Sequence, residues 1–306
     1  MATEQLRWGV SPLCWTNDVL EDLGGDIPLD TCLREAREAG YQGIELGRKF
    51  PRQAATLGPL LAAADLRLAS GWYSGMLADR SVEAELEAVR EHAQFLRQLG
   101  AKVMVYGECG QLPGETPLDE PISLSPPLSR VSLAVYCHKL NTFADLLLRD
   151  YDLQLAYHHH LMMLVEHDDE LERFLSHTHD NVGLAFDTGH AFVAGVEIPR
   201  VLHKYGHRIR HLHLKDVRPQ VLGRLYRENL SFNEAVRAGL FTIPGDGCID
   251  YAPILDFVRD SDYRGWLIIE AEQDPAMAPP LATASRAYCW LAHHLSSPSS
   301  SEEYAS

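Results

Sequence analysis

The chain has 306 residues, and its 27 Lys and Arg face 43 Asp and Glu, which gives a formal net charge of −16. Its composition, 46% hydrophobic and 23% charged, is that of an ordinary soluble globular protein. Nucleic acids and anionic membranes are bound through clustered Lys and Arg, so the acidic balance argues against both as partners. We therefore expect a small molecule as the ligand.

The ends of the chain and its cysteines indicate the cellular compartment. The start, MATEQLRWGVSP, lacks the basic region and apolar core of a secretory signal. The six cysteines are scattered without a CxxC pair, which is typical of reduced thiols. We expect a cytoplasmic protein with a single domain over residues 1–296 and a disordered polar tail over residues 297–306.

Short apolar runs alternate with longer amphipathic segments along the chain. The apolar runs predict strands at Leu6–Leu13, Gly43–Gly47, Leu66–Trp72, Lys102–Tyr106, Leu153–Tyr157, Val182–Phe186, Ile209–Leu214 and Trp266–Ala271. The clearest predicted helices are Leu29–Ala39, Val82–Leu99, Leu128–Arg149, Glu170–His177 and Tyr251–Arg259. The Pro-rich stretch Glu108–Pro127 predicts a long loop over one face.

Repeated strand–helix units predict an α/β fold, the (β/α)₈ TIM barrel, and the length suits it. The main alternative is a doubly wound open sheet, which usually carries a glycine-rich phosphate turn after its first strand. Here that position reads SPLCWTND, without such a turn. The barrel is therefore the prediction.

Catalytic groups of such barrels lie at the carboxyl ends of the strands. In this chain those ends carry the polar residues Glu45, Glu108, His158, His160, Asp187, His213 and Glu270. Because alternate strand residues face the same side, His211 and Lys215 share the inward face with His213, and Glu272 shares it with Glu270.

Imidazole and carboxylate side chains that meet at one rim suit Mn²⁺, Co²⁺, Fe²⁺ or Zn²⁺. A single histidine is more often a packed or surface residue than a ligand. Ligand-type residues at the ends of successive strands are harder to explain in that way. The sequence therefore predicts a divalent-metal site.

The segments PLCWTND, LAYHHH, FDTGHAFVAG, HLHLKDVRP and LIIEAEQDPA resemble the xylose isomerase-like TIM barrel superfamily and, within it, the myo-inosose-2 dehydratase family. The similarity runs across residues 6–290. It implies a metal-dependent hydro-lyase that dehydrates 2-keto-myo-inositol to a dione in inositol catabolism. It also implies Mn²⁺ or Co²⁺ as the cofactor, with Zn²⁺, Fe²⁺ and Mg²⁺ as alternatives.

The resemblance also implies residue roles. The metal ligands it assigns are His158, Asp187, His213 and Glu270, with Glu272 as an alternative to Glu270 and His160 as an alternative to His158. The acid–base candidates are Glu45, His190, Lys215 and Glu272. The candidate substrate contacts are Asn17, Trp72, Glu108, His160 and Arg218. Structural alternatives are a Lys215–Asp216 salt bridge and a hydrogen-bonding role for Glu45 at the barrel rim.

Other functions stay open at this stage. Family sequences tend to carry Gly-Thr soon after the triple histidine, where this chain has Leu161, Met162 and Met163. A filled pocket there would favour a non-catalytic sugar-binding barrel. An epimerase or isomerase acting on a ketose or inosose is the enzymatic alternative, but the imidazole of His158 removes a carboxylate that such enzymes use. The acidic charge argues against an AP-endonuclease-like role, and homo-oligomerisation is left open.

Overall fold

The computed structural model describes residues 6–112, 116–125 and 132–296. Eight parallel strands close into a barrel, which confirms the predicted (β/α)₈ fold, and the last strand pairs with both the first and the seventh. The barrel strands are β1 (Arg7–Val10), β2 (Gly43–Leu46), β3 (Arg67–Gly75), β4 (Val103–Glu108), β5 (Gln154–His158), β6 (Val182–Asp187), β7 (Ile209–Leu214) and β10 (Trp266–Ile269). Between β7 and β10, a two-stranded antiparallel sheet joins β8 (Asp216–Val217) to β9 (Phe241–Thr242).

Helices follow the strands around the barrel. They are α1 (Leu29–Glu38), α2 (Ala54–Ala63), α3 (Val82–Gln98), α4 (Leu133–Tyr151), α5 (Asp168–His177), α6 (Thr188–Val193), α7 (Ile198–Tyr205), α8 (Pro219–Glu228), α9 (Phe232–Arg237), α10 (Ala252–Asp260) and α11 (Pro280–Ser296). Within the described ranges, no helix combines the length and the apolar character needed to cross a lipid bilayer.

Several predicted elements have different bounds in the structure. The first strand ends at Val10, because Pro12 begins a 3₁₀ turn over Pro12–Cys14 whose first amide is held by the Ser11 hydroxyl. The helix predicted over 128–149 begins at Leu133, and residues 126–131 lie outside the described part of the chain. The expected tail, residues 297–306, also lies outside it, and the domain extent 1–296 stays a prediction.

The insertion between β8 and β9 contains α9, which was not predicted. A capping box starts this helix, with the Glu234 amide donating to Ser231 Oγ at 3.1 Å and the Ser231 amide donating to Glu234 Oε2 at 2.8 Å. Asn233 Nδ2 then donates to Asp119 Oδ1 at 2.8 Å, which ties α9 to the loop after β4. Phe232 and Asn233 are thereby brought to the cavity described below.

Small and apolar side chains fill part of the barrel interior. Val103, Val105, Ala156 and Ala185 form a buried cluster with Trp72 packed against it. These residues come from β3, β4, β5 and β6, and Glu108, His158 and Asp187 stand at the carboxyl ends of β4, β5 and β6. Because every barrel strand is parallel, those polar ends collect at one face of the molecule.

We expect Gly24→Ala to lower the free energy of unfolding by about 2–5 kcal/mol. Gly24 has φ +69°, and an added methyl group would lie 1.8 Å from the carbonyl oxygen of Trp15. The left-handed conformation costs a side chain about 1–2 kcal/mol, and overpacking adds about 1–3 kcal/mol. Gly100 is the matched control, because it has φ +79° but open space around it, so Gly100→Ala should show only the conformational cost. Urea unfolding measures both variants, and equal losses of unfolding free energy in Gly24→Ala and Gly100→Ala would contradict the steric argument.

Candidate active site

A cavity of about 650 Å³ opens at the carboxyl ends of the strands. Ligand-type residues line part of its wall, and loop residues from the segments after β1, β3 and β4 line the rest together with α9. The lining residues from the predicted site are Asn17, Glu45, Trp72, His158, His160, His190, His213, Lys215, Glu270 and Glu272.

Four predicted metal ligands converge beside this cavity. His158 Nε2 lies 3.7 Å from Asp187 Oδ2, and His213 Nδ1 lies 3.5 Å from the same oxygen. Glu270 Oε2 lies 3.2 Å from His213 Nδ1. All four side chains are buried, and they come from β5, β6, β7 and the end of β10, which are consecutive around the barrel.

The hydrogen bonds around this cluster decide whether a metal ion fits it. Asp187 Oδ1 is occupied by the His190 amide at 2.9 Å, and His213 Nε2 by Glu45 Oε1 at 3.1 Å. The inward atoms, Asp187 Oδ2 and His213 Nδ1, are buried without a hydrogen-bond partner in the described structure. Lone pairs of oxygen and nitrogen that face one another are stabilised by a cation, so the residues fit a divalent ion.

The electrostatics of the cluster agree with this fit. Burial would lower the pKa of His213, but the Glu45 and Glu270 carboxylates outweigh it and raise that pKa well above its ordinary value. Burial would raise the pKa of Asp187, but Lys215 and the nearby imidazoles hold it well below the usual range. Asp187 is therefore an anion in a buried site that attracts positive charge.

Lys215 supplies the positive charge next to the cluster. Its Nζ lies 2.5 Å from Glu270 Oε1, 3.4 Å from Asp187 Oδ2 and 3.6 Å from Glu272 Oε2. Burial would lower the pKa of Lys215, but these carboxylates raise it, so the side chain is an ammonium ion. The glycine of the DTGH motif makes room for it, since a methyl group on Gly189 would lie 2.6 Å from Lys215 Cγ.

The alternative partner of Lys215, Asp216, is engaged elsewhere. Its two carboxylate oxygens accept the backbone amides of Val217, Gly245, Gly247 and Ile249 at 2.8–3.1 Å. Asp216 therefore organises the loop after β9, and Lys215 belongs to the cavity.

Glu272 lies on the other side of Lys215 and is fixed by Asn17. Asn17 Nδ2 donates to Glu272 Oε1 at 2.9 Å, and Asn17 Oδ1 accepts the amides of Val19 and Leu20, which sets the orientation of the amide group. Burial raises the pKa of Glu272. Both glutamates contact Lys215, but Glu270 also contacts His213, whereas Glu272 accepts a hydrogen bond from Asn17.

The backbone of Leu161 joins two histidines of the cavity. His160 Nδ1 lies 2.6 Å from the Leu161 carbonyl oxygen, which only accepts, so Nδ1 donates and Nε2 carries the lone pair. The Leu161 amide donates to His190 Nδ1 at 3.3 Å, and the two imidazole rings lie 3.8 Å apart. Burial lowers the pKa of both histidines well below the ordinary value, so both rings are neutral.

The segment that departs from the family pattern contributes one side chain to the cavity. Met163 lines it, whereas Leu161 and Met162 are buried among the core residues. Met162 has φ +64°, and its amide donates to Glu166 Oε2 at 2.9 Å. The departure therefore adds an apolar wall, and about 650 Å³ of cavity is left beside it.

Two predicted substrate contacts do not line the cavity. Glu108 accepts hydrogen bonds from Tyr106, Tyr136 and the amides of Ala78 and Gly110 at 2.8–3.3 Å. Arg218 donates to the carbonyl oxygens of Gly239 and Phe241 and to Thr242, Asp246 and Gln273. Both residues hold loops together instead.

We expect Glu108→Gln to lower the free energy of unfolding by about 2–4 kcal/mol. The amide would turn an NH₂ group toward donors that now meet a buried carboxylate, and unsatisfied buried donors cost about 1–3 kcal/mol each. Tyr136→Phe removes one of the four donors and should cost about 1 kcal/mol. Urea unfolding measures both, and an unchanged stability of Glu108→Gln would show that the carboxylate is not needed.

Several cavity residues were missed by sequence reasoning. Asp18, Met76, Leu118, Phe232 and Asn233 also line the cavity. The S-x-x-E pattern of residues 231–234 is the signal that could have revealed α9 and its two cavity residues. The others lie in loops, whose paths the periodicity of the sequence does not indicate.

Histidine and carboxylate ligands at the ends of consecutive strands define a TIM-barrel protein with a candidate metal centre. A family model described as "Xylose isomerase-like TIM barrel" matches residues 33–293. The chain therefore belongs to the xylose isomerase-like TIM barrel family.

Relatives and solved structures agree with this membership. The chain is 43% identical to the Rhizopine catabolism protein MocC of Rhizobium meliloti, over 91% of this chain and 85% of that protein. It is 38% identical to an Inosose dehydratase of Geobacillus thermodenitrificans, over 92% of this chain and 95% of the relative. The crystal structure of the probable 3-DHS dehydratase AsbF from Bacillus anthracis matches with a TM-score of 0.67 at 14% identity, over 94% of this chain and 98% of that one, and so shares the fold.

Proposed function

We propose that this protein is an inosose dehydratase, a cytoplasmic hydro-lyase that removes water from 2-keto-myo-inositol to give a dione in inositol catabolism. The observation that carries the proposal is the buried cluster of His158, Asp187, His213 and Glu270 beside Lys215 in an open cavity. The likeness to a relative named inosose dehydratase supports the reaction, at 38% identity over almost the whole chain.

The cluster is the proposed metal centre. His158 Nε2, Asp187 Oδ2, His213 Nδ1 and Glu270 Oε2 would hold the ion, because these atoms face one another and two of them have no hydrogen-bond partner in the described structure. When bound, a divalent ion, for which we propose Mn²⁺ or Co²⁺, supplies Lewis-acid polarisation of the substrate ketone. Glu272 is not needed as a metal ligand in this arrangement and can take part in proton transfer.

Dehydration of a ketone requires that a base removes the α-proton and an acid protonates the departing β-hydroxyl group. We assign the base to Glu272, because burial raises the pKa of its carboxyl and makes it a stronger proton acceptor. We assign the acid to the Lys215 ammonium, 3.6 Å from Glu272 Oε2. The C–H electron pair forms the new double bond, the C–O bond breaks, and the leaving oxygen takes the Lys215 proton to become water; the enol relaxes to the dione.

Neutral imidazoles and aromatic rings complete the proposed substrate site. His160 Nε2 is free to accept a hydrogen bond from a ring hydroxyl, because Nδ1 is engaged by Leu161. His190 Nε2 lies 3.1 Å from Lys215 Nζ, which places this neutral ring beside the ammonium group. Trp72 and Phe232 flank His160, with ring centroids 6.1 and 5.1 Å from it. These apolar faces exclude water from the reacting groups.

An assay with 2-keto-myo-inositol tests the proposal. The protein is stripped with EDTA, metal loss is verified, and dione formation is followed by absorbance before and after addition of Mn²⁺ or Co²⁺. We expect activity to disappear on chelation and to return with metal. An epimerised ketone, or no conversion of the ketone, would contradict the dehydratase; full activity without metal would contradict the metal centre.

A further inference from the structure

The carboxylate of Glu45 lies behind one of the proposed metal ligands. Its Oε1 accepts hydrogen bonds from His213 Nε2 at 3.1 Å, His211 Nε2 at 2.8 Å and Ser70 Oγ at 2.5 Å. All four side chains are buried, with at most 7% of any residue exposed. Glu45 is on β2 and the histidines are on β7, so these contacts cross the barrel between strands that are not neighbours.

This contact sets which nitrogen of His213 faces the metal centre. A carboxylate oxygen only accepts, so His213 Nε2 carries the hydrogen that it donates to Glu45. Nδ1 is then the nitrogen that faces Asp187 and Glu270, at 3.5 and 3.2 Å, and the one through which His213 would bind an ion in place of a proton. Ser70 on β3 and His211 on β7 also donate to this Glu45 oxygen, so its position does not depend on the His213 contact alone.

The other histidine of the proposed metal centre, His158, has no carboxylate behind its ring in the described part of the chain. His158 Nδ1 is buried without a hydrogen-bond partner in the described part of the chain. Its ring is held by packing against Trp72, with centroids 5.3 Å apart. Of the two imidazoles in the cluster, only His213 therefore has a buried carboxylate behind it. An anionic acceptor raises the basicity of an imidazole and restricts its rotation, both of which strengthen metal binding.

We propose that Glu45 is a positioning residue of the metal centre, which holds His213 in the tautomer and orientation that bind the ion and does not itself exchange protons with the substrate. This inference rests on the metal centre of the proposed function. It leaves Lys215 and Glu272 to act at the substrate.

The test is the affinity of the full-length protein for Co²⁺ and Mn²⁺ without substrate, measured by competition with a chromogenic chelator. Glu45→Gln keeps the volume but removes the negative charge and one acceptor, so we expect about 10–100-fold weaker binding. The visible spectrum of the Co²⁺-loaded variant should shift as His213 reorients. Thermal unfolding verifies that the variant is folded.

Ser70→Ala and His211→Gln are the matched controls: Ser70→Ala removes a donor to the same Glu45 oxygen, His211→Gln removes the neighbouring imidazole, and both leave the Glu45–His213 contact in place. Both should bind metal as the wild type does. If His211→Gln weakened binding as much as Glu45→Gln while Asp187→Asn did not, the ion would lie at Glu45, His211 and His213, and the proposal would fail.

Kinetics of the Glu45 variants distinguish a positioning role from a catalytic one. Unchanged metal affinity with a large loss of kcat in Glu45→Gln would make Glu45 a catalytic acid or base and overturn the proposal. If Glu45→Gln does not fold, Glu45→Asp takes its place, because it keeps the negative charge but moves the carboxylate away from His213. Wild-type metal affinity in Glu45→Asp would also overturn the proposal. A wild type whose metal affinity depends on Glu45 in this way but which dehydrates no inosose would refute the proposed function alone.

Discussion

Asp187→Asn is expected to lower dehydration of 2-keto-myo-inositol by roughly 10³-fold or more and to weaken metal binding strongly. Asp187 Oδ2 lies within 3.7 Å of His158 Nε2 and 3.5 Å of His213 Nδ1, so it belongs to the centre of the cluster. The amide loses the negative charge, and a Lewis acid contributes several kcal/mol at about 1.4 kcal/mol for each factor of ten. Activity and chelator competition measure the two losses.

The same variant should stay folded. Asp187 caps α6 through Oδ1, which accepts the His190 amide, and asparagine caps helices about as well as aspartate. Asp250→Asn is the matched control, because Asp250 Oδ1 accepts the Ala252 amide at 3.0 Å on an exposed turn and is not among the residues that line the active-site cavity. Full activity and metal content in Asp187→Asn would show that the ligand assignment is wrong.

Lys215→Met is expected to separate catalysis from metal binding. Loss of the proposed acid should lower kcat by about 10²–10⁴-fold. The affinity for Mn²⁺ should be retained or should increase, because the Lys215 ammonium no longer competes for Asp187 and Glu270, 3.4 and 2.5 Å away. Steady-state kinetics at saturating metal and chelator competition measure the two effects.

Lys139→Met serves as the control for Lys215→Met. Lys139 Nζ donates to the carbonyl oxygens of Leu77 and Arg80, away from the cluster. This variant should keep both kcat and metal affinity. A parallel loss of metal binding and activity in Lys215→Met would instead assign Lys215 a structural role in the cluster.

The alternation of apolar runs and amphipathic segments was sufficient to predict the barrel. The closed sheet and the helices around it follow from local patterns, because each strand–helix unit buries its apolar side chains against the next one. Parallel strands place their carboxyl ends at one face, and alternation within β6, β7 and the end of β10 directs Asp187, His213 and Glu270 inward. Their convergence was therefore predictable from the sequence.

The prediction for Glu108 was wrong because the alternation of inward and outward residues was not applied to β4. Glu108 ends β4 and resembles the other polar strand ends, but Val103 and Val105 are the residues of that strand in the small interior cluster. Two-residue periodicity then places Glu108 on the opposite side with Tyr106, against the helices. Arg218 follows β8, where it holds the insertion and cannot be placed by periodicity.

By itself, the sequence determined the fold and the type of side chain at each strand end, because both depend on periodicities of a few residues. Only the tertiary structure decided which of these side chains touch. Glu45 reaches His213 across 168 residues of sequence, and this contact exists because closure of the barrel brings β2 opposite β7. Lys215 meets Glu270 and Glu272 for the same reason, because β10 pairs with β7. The distances that separate a metal ligand from a proton donor depend on how the side chains of distant strands meet inside the closed barrel, and periodicity along the sequence does not specify those distances.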